Sequence, residues 1–135
     1  MEQKKENNKK GLTDLTNHTD KGIPITSAEL EKAKVHIIVK IMEYVSNALM
    51  SKTILKMTTG DITISSFDTG EELAEKRFPF DTYIQIIDGA AEVIINEIKH
   101  QLKPGEGIII PANSSHCINS NVQFKIISAI KKRIR

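Results

Sequence analysis

Two side chains able to move a proton or attack an electrophile stand next to each other near the C-terminal end, His116 and Cys117. They sit in the stretch Gly105 to Asn119, GEGIIIPANSSHCIN. An imidazole beside a thiol suggests a nucleophile and its base. If the segment is a strand, however, adjacent residues face opposite sides, and the pair cannot share a proton. His116 alone can serve as a metal ligand, a general base, a hydrogen-bonding group toward a ligand, or a satisfied wall residue. Cys117 reads as a buried, inert thiol. It is the single cysteine, so no internal disulfide forms. His100 lies between lysine and glutamine and reads as exposed, His36 reads as exposed, and His18 is given no role. No catalytic set emerges from these residues.

The elements that must position His116 are legible around it. Pro104-Gly105 marks a turn, and Gly107 suits a bulge or a close approach. Ile108 to Ile110 form a β-branched run, the composition of a well-buried strand. Pro111 ends the pairing because it has no N–H to donate. Asn113 falls where a left-handed turn residue is needed. The order is therefore strand, tight loop, strand, with His116 opening the second strand.

The rest of the chain repeats that pattern. Strands are expected over Val35–Met42, Lys52–Met57, Ile62–Phe67, Tyr83–Ile87, Ala91–Ile95, Ile98–Leu102 and Phe124–Ile130. Turns are expected at Thr59-Gly60-Asp61, Asp68-Thr69-Gly70, Asp88-Gly89 and Asn96-Glu97. Residues 71–77, EELAEKR, have helical propensity but little length. Some nine short strands with short turns imply an antiparallel sandwich or barrel. Residues 1–33 read as a polar, flexible extension, with a short helix over 27–33 suggested by the capping-box spacing of Thr26 and Glu29. Residues 34–135 then form one domain.

Composition narrows the function classes. The chain has 135 residues, 39% of them hydrophobic, and a formal net charge of +2. Residues 35–130 hold eight Lys and Arg against eleven Asp and Glu, so the positive excess lies at the two ends. A mildly acidic body offers no footprint for a nucleic-acid backbone. No apolar run is long enough to span a bilayer. Neither a nucleic acid nor a membrane is expected as a partner, and a cytoplasmic location is expected.

The second half resembles the cupin superfamily, in particular the small single-domain cupins with an RmlC-like jelly roll. That family's second motif reads Gly, five residues, Pro, one residue, Gly, two residues, His, three residues, Asn. Gly105, Pro111 and His116 match it, Asn113 replaces the second glycine, and Ser120 stands in the final place, flanked by Asn119 and Asn121. The resemblance implies an all-β antiparallel cupin barrel, a double-stranded β-helix or jelly roll, over about residues 35–130, and a homodimer. The first motif, two histidines two apart followed by a glutamate, is not kept. Anchored on Gly70 and Gly89, the histidine positions fall on Lys76 and Phe78. The glutamate position falls on Thr82, or on Asp81 with a shifted spacer.

An amine, an aromatic ring and a hydroxyl thus replace the family's metal-gripping side chains, and one imidazole holds a transition metal poorly. The resemblance then implies a degenerate metal site, no cofactor, and a small-molecule pocket bounded by Lys76, Phe78, Phe80, Thr82, Asn113 and His116. Lys76 would meet a carboxylate or phosphate there, or remain a surface lysine among Glu71, Glu72 and Glu75. The alternatives are a metal-dependent oxygenase or isomerase using His116 with Asp81 and a divalent ion, and a structural or regulatory homodimer.

Overall fold

A computed structural model describes residues 25–26 and 29–132. The first twenty-four residues, and with them most of the expected extension, lie outside the described part. Ten strands follow one another: β1 (Ile25–Thr26), β2 (Leu49–Met57), β3 (Gly60–Phe67), β4 (Leu73–Arg77), β5 (Asp81–Gly89), β6 (Ala91–Ile95), β7 (Ile98–Leu102), β8 (Gly107–Ile110), β9 (Ser115–Asn119) and β10 (Phe124–Lys131). Hydrogen bonding divides them into a large sheet ordered β1-β2-β3-β10-β5-β8 and a small sheet ordered β4-β9-β6-β7. Every pairing is antiparallel except that of β1 with β2. This is the two-sheet antiparallel jelly roll expected from the sequence. Among the described residues no helix is long and apolar enough to cross a membrane.

The core fills the space between the sheets. Leu49, Phe67, Ile84, Ile86, Ile110, Phe124 and Ile126 come from the large sheet, and Ala91, Val93, Ile95, Leu102 and Ile118 from the small one. Apart from Ala91, each such side chain removed from water contributes about 1.5–3 kcal/mol. Phe67 and Phe124 are cross-strand partners and stack, with ring centroids 4.3 Å apart. Two glycines permit backbone approaches that other residues would block. Gly89 has φ +74°, and a Cβ there would overlap the Gln123 carbonyl. A Cβ at Gly107 would overlap the Tyr83 hydroxyl, the close approach foreseen at that position.

Three local expectations are corrected. Val35–Met42 is not a strand. Val35 and Ile37 are 91% and 61% exposed, and Ile38–Lys40 form one 3₁₀ turn. The edge of β2 that such a strand would need is already taken by β1 and by Leu30, whose N–H bonds to the Ile54 carbonyl. Residues 71–77 give the strand β4 rather than a helical turn, because pairing with β9 overrides helical propensity. Of the suggested 27–33 helix, the described part is not helical. Lys32 and Ala33 form a turn, with Ala33 at φ +57°.

Residues 38–48 instead run as a strap across the outer face of the large sheet. Lys125 is buried beneath it, with Nζ 2.7 Å from the Val39 carbonyl and 4.8 Å from the centre of the Tyr44 ring. The Tyr44 hydroxyl donates to Asp88 at 2.5 Å, and Ser66 donates to the Glu43 carbonyl. Burial, with the Asp88 carboxylate as a further cause, pushes the Tyr44 phenol well above its ordinary value.

Candidate functional site

His116 is set by the turn that precedes it. Asn113 takes the left-handed conformation, φ +66°, as expected. Its N–H bonds to the Phe78 carbonyl at 2.7 Å, and its own carbonyl accepts from Arg77 Nη1 at 2.8 Å. Asp81 Oδ1 accepts the Ala112 N–H at 2.8 Å. The carboxylate weighed as a second metal ligand therefore clamps the turn. With the turn closed, His116 enters β9 on the core face, 5% exposed. Its Nδ1 lies 3.3 Å from the Ser114 carbonyl. Among the described residues nothing hydrogen-bonds to Nε2.

The register puts Lys76 of β4 and Ile95 of β6 on either side of His116. The two positions that sequence spacing linked, 76 and 116, are thus cross-strand neighbours. Lys76 is exposed, and its ammonium lies 5.9 Å from the centre of the Phe78 ring. Phe78 meets Phe80 edge to face at 5.4 Å. Thr82 is buried and donates weakly to the Phe80 carbonyl at 3.3 Å. Burial lowers the His116 pKa below its ordinary value. The Ser114 carbonyl opposes that shift and the Lys76 ammonium adds to it.

Cys117 points to the other face, toward Glu75, Glu72 and Glu92. Burial first, then those carboxylates, raises its pKa. It is half-buried rather than fully buried, and it shares no proton with His116.

The donor set at His116 does not fit a metal. Its neighbours in the sheet are an ammonium group and an isoleucine, and a fixed cation beside the imidazole repels another. Among the described residues no three His, Cys, Asp or Glu side chains converge. His100, expected to be exposed, is half-buried and pairs with Val93, which puts it on the inner face at an outer strand of the small sheet.

An open cavity of about 950 Å³ lies at the mouth of the jelly roll, where β3 and β5 begin and β10 ends. The cavity and the imidazole do not coincide. Of the six residues expected to bound a pocket, Phe80 lines it, and so does Asp81. Of the sheet wall whose end row is Asp61–Ile130–Thr82–Ile110, Asp61 and Ile130 line the cavity. One row deeper come Thr53–Thr63–Ser128–Ile84–Ile108, and then Ser51–Ser65–Ile126–Ile86. The β2–β3 side of this wall is polar and the β5–β8 side is isoleucine.

Asp61 joins the two regions. Its Oδ2 lies 3.2 Å from Lys132 Nζ, and its Oδ1 is buried with no hydrogen-bond partner among the described residues. Ser51 and Ser65 satisfy each other at 2.7 Å. No described group hydrogen-bonds to the hydroxyls of Thr53, Thr63 or Ser128. In the sequence Asp61 reads as a turn residue, and Thr53, Thr63 and Ser128 carry no mark of a role. The signal was the alternation Asp61, Thr63, Ser65, Phe67, one polar residue at every second place on a strand whose other end is core.

The architecture has clear counterparts. A conserved protein of unknown function from Streptococcus pyogenes superposes with a TM-score of 0.75 at 24% identity, over 80% of this chain and 95% of that one. A cupin superfamily protein from Desulfitobacterium hafniense gives a TM-score of 0.73 at 23% identity, over 78% and 97%. The fold is that of a small cupin domain. The same fold carries a salicylate 1,2-dioxygenase from Pseudaminobacter salicylatoxidans, 18% identical, with a TM-score of 0.59 over 65% of this chain and 27% of that one. Its neighbours thus include an enzyme and proteins of unknown function. No protein-family model matches the chain. Protein SchB of Streptomyces halstedii is 29% identical over 70 residues, about half the length of each chain.

Proposed function

We propose that this chain is a cupin domain that binds a small molecule without a resident metal, in the cavity at the mouth of the jelly roll. The observation that carries this reading is the inward wall. Its hydroxyls lie at strand positions that hold core residues elsewhere, and they end at a buried carboxylate oxygen lacking a partner among the described residues. A buried polar atom without a partner costs free energy, so the Asp61 oxygen is the point at which this wall is incompletely satisfied. Phe80 and Asp81 line that cavity, and His116 lies apart from it.

A thermal-shift screen of protein purified without a histidine tag tests this. A ligand present at a hundred times its Kd stabilises by roughly 2.7 kcal/mol, a rise of several degrees in Tm. The rise is expected to shrink in Phe80→Ala, at the cavity wall. Metal analysis of the same sample separates the rival reading of an oxygenase or isomerase. Stoichiometric iron, manganese, nickel or zinc, lost in His116→Ala, would favour the enzyme. A homodimer is a second reading, and a row of exposed apolar residues across the large sheet favours it.

A further inference from the structure

We infer that a second copy of this chain adds to the large sheet at β8, the two β8 strands pairing antiparallel about a two-fold axis at Ile108. The inference rests on the homodimer reading above and names its surface and register. The first observation is the state of the sheet edges. β1 and β8 end the large sheet, and β4 and β7 end the small one. β1 has two residues, β4 carries Glu75, Lys76 and Arg77, and β7 carries Lys99. Shortness and charge both guard an edge against pairing. β8 reads Gly-Ile-Ile-Ile, with no charge and no proline, and Ile109 is 63% exposed.

The second is backbone direction. The Ile86 N–H bonds to the Glu106 carbonyl, and the Ile86 carbonyl accepts from the Gly105 N–H. Bonded and non-bonded pairs alternate from there along β5 and β8. Ile108 and Ile110 therefore turn their N–H and C=O groups toward β5, and Gly107 and Ile109 turn theirs outward. Among the described residues nothing hydrogen-bonds to those four outward groups. A two-fold axis at Ile108 sets Gly107 of each copy opposite Ile109 of the other, and four hydrogen bonds then satisfy all of them. An axis at Ile109 would set Gly107 against Pro111, which has no N–H to give. The third is what flanks the strand. A Cβ at Gly107 would overlap the Tyr83 hydroxyl, so Tyr83 lies along that residue and offers its ring to Ile109 of the second copy. Glu106 Oε1 accepts the Lys103 N–H at 2.9 Å, and Arg77 Nη1 donates to the Asn113 carbonyl at 2.8 Å. Carried past the strand ends, the same register sets Lys103 opposite Asn113 of the second copy. It thus brings a held carboxylate toward a held guanidinium, twice by symmetry. An edge complementary to itself in hydrogen bonds and in flanking charge selects a second copy over an unrelated peptide.

Light scattering and disulfide trapping of the full chain test this. The unaltered protein is expected at twice the chain mass at tens of micromolar. Ile109→Pro removes an outward N–H and none that bonds to β5, and is expected to give the single mass. Leu55→Lys, on the same outer face but at β2, is expected to keep the double mass. In a Cys117→Ala background, Ile108→Cys is expected to give a linked dimer on mild oxidation. Directly opposed, non-bonded partners lie about 4.5 Å apart at Cα, within disulfide reach. Ile109→Cys, although more exposed, is expected to link less, because its own counterpart lies on the diagonal, roughly 7–8 Å away. Amide exchange of the unaltered protein gives the same answer without any risk of misfolding, since the Gly107 and Ile109 N–H groups should slow as concentration rises. A dimer that survives Ile109→Pro, that is lost in Leu55→Lys, or that links better through Ile109→Cys than through Ile108→Cys overturns the inference and leaves the homodimer reading in place. So does exchange at Gly107 and Ile109 that ignores concentration while the mass stays doubled. A single mass for the unaltered protein removes both.

Discussion

At the scale of single residues, His116 is held where its neutral form is favoured. Burial is the main cause, and the Lys76 ammonium across the strand pair contributes. The folded protein therefore takes up the imidazole proton at a lower pH than the unfolded chain, whose value is about 6.5. The corresponding stability is fully present above that value and is lost as pH falls through the lower folded one. The urea midpoint is expected to be lower at pH 5 than at pH 7.5, and His116→Gln, which cannot titrate, should narrow the difference. An unchanged pH dependence in the variant would refute the assignment. His116 was legible in advance because Gly105, Pro111 and Asn113 shape the turn that delivers it. Asp61 was not, since Thr-Gly-Asp reads equally well as a surface turn. Only the register with Ile130 and Thr82 turns its side chain inward.

At the scale of elements, the hairpin β6–β7 carries a strain that can be relieved. Asn96 and Glu97 both adopt left-handed backbone angles, φ +48° and +72°, in a two-residue loop. Asparagine tolerates this geometry. A glutamate does not, at a cost of roughly 1–2 kcal/mol. Glu97→Gly is expected to stabilise the protein by about 1 kcal/mol, read as a higher midpoint in chemical denaturation. A lower midpoint would show that the Glu97 side chain does more than tolerate the turn. This hairpin was readable because strict alternation runs through Ala91, Val93 and Ile95 into a turn. Val35–Met42 shows the same alternation and is no strand. Periodicity reports which residues suit a pleated surface, not whether a free sheet edge awaits them. In β4 the reverse holds. A run of charged residues with helical preferences is recruited as an outer strand by its neighbour β9.

At the scale of the whole molecule, the outer face of the large sheet is finished unevenly. The strap covers one end. At the other, the register row Leu55–Ile62–Ala129–Tyr83–Ile109 runs across five strands, with Ile109 63% exposed. Strands about 4.8 Å apart make this a stripe roughly 20 Å long. The next outward row places Lys131 across from Asp81, so both signs of charge stand at the stripe's border. Light scattering at tens of micromolar should give twice the chain mass, and Ile109→Lys should return it to one. A monomer before substitution would rule this pairing out. The strap itself has a kinetic consequence. Its anchors, Lys125 and Asp88, are cross-strand neighbours on β10 and β5 and exist as a pair only once those distant segments have met. The strap must settle last, because its loop cannot close before they do. In reverse it is the first layer to peel away, baring Ser66 and the Lys125 ammonium group while the two sheets stay joined.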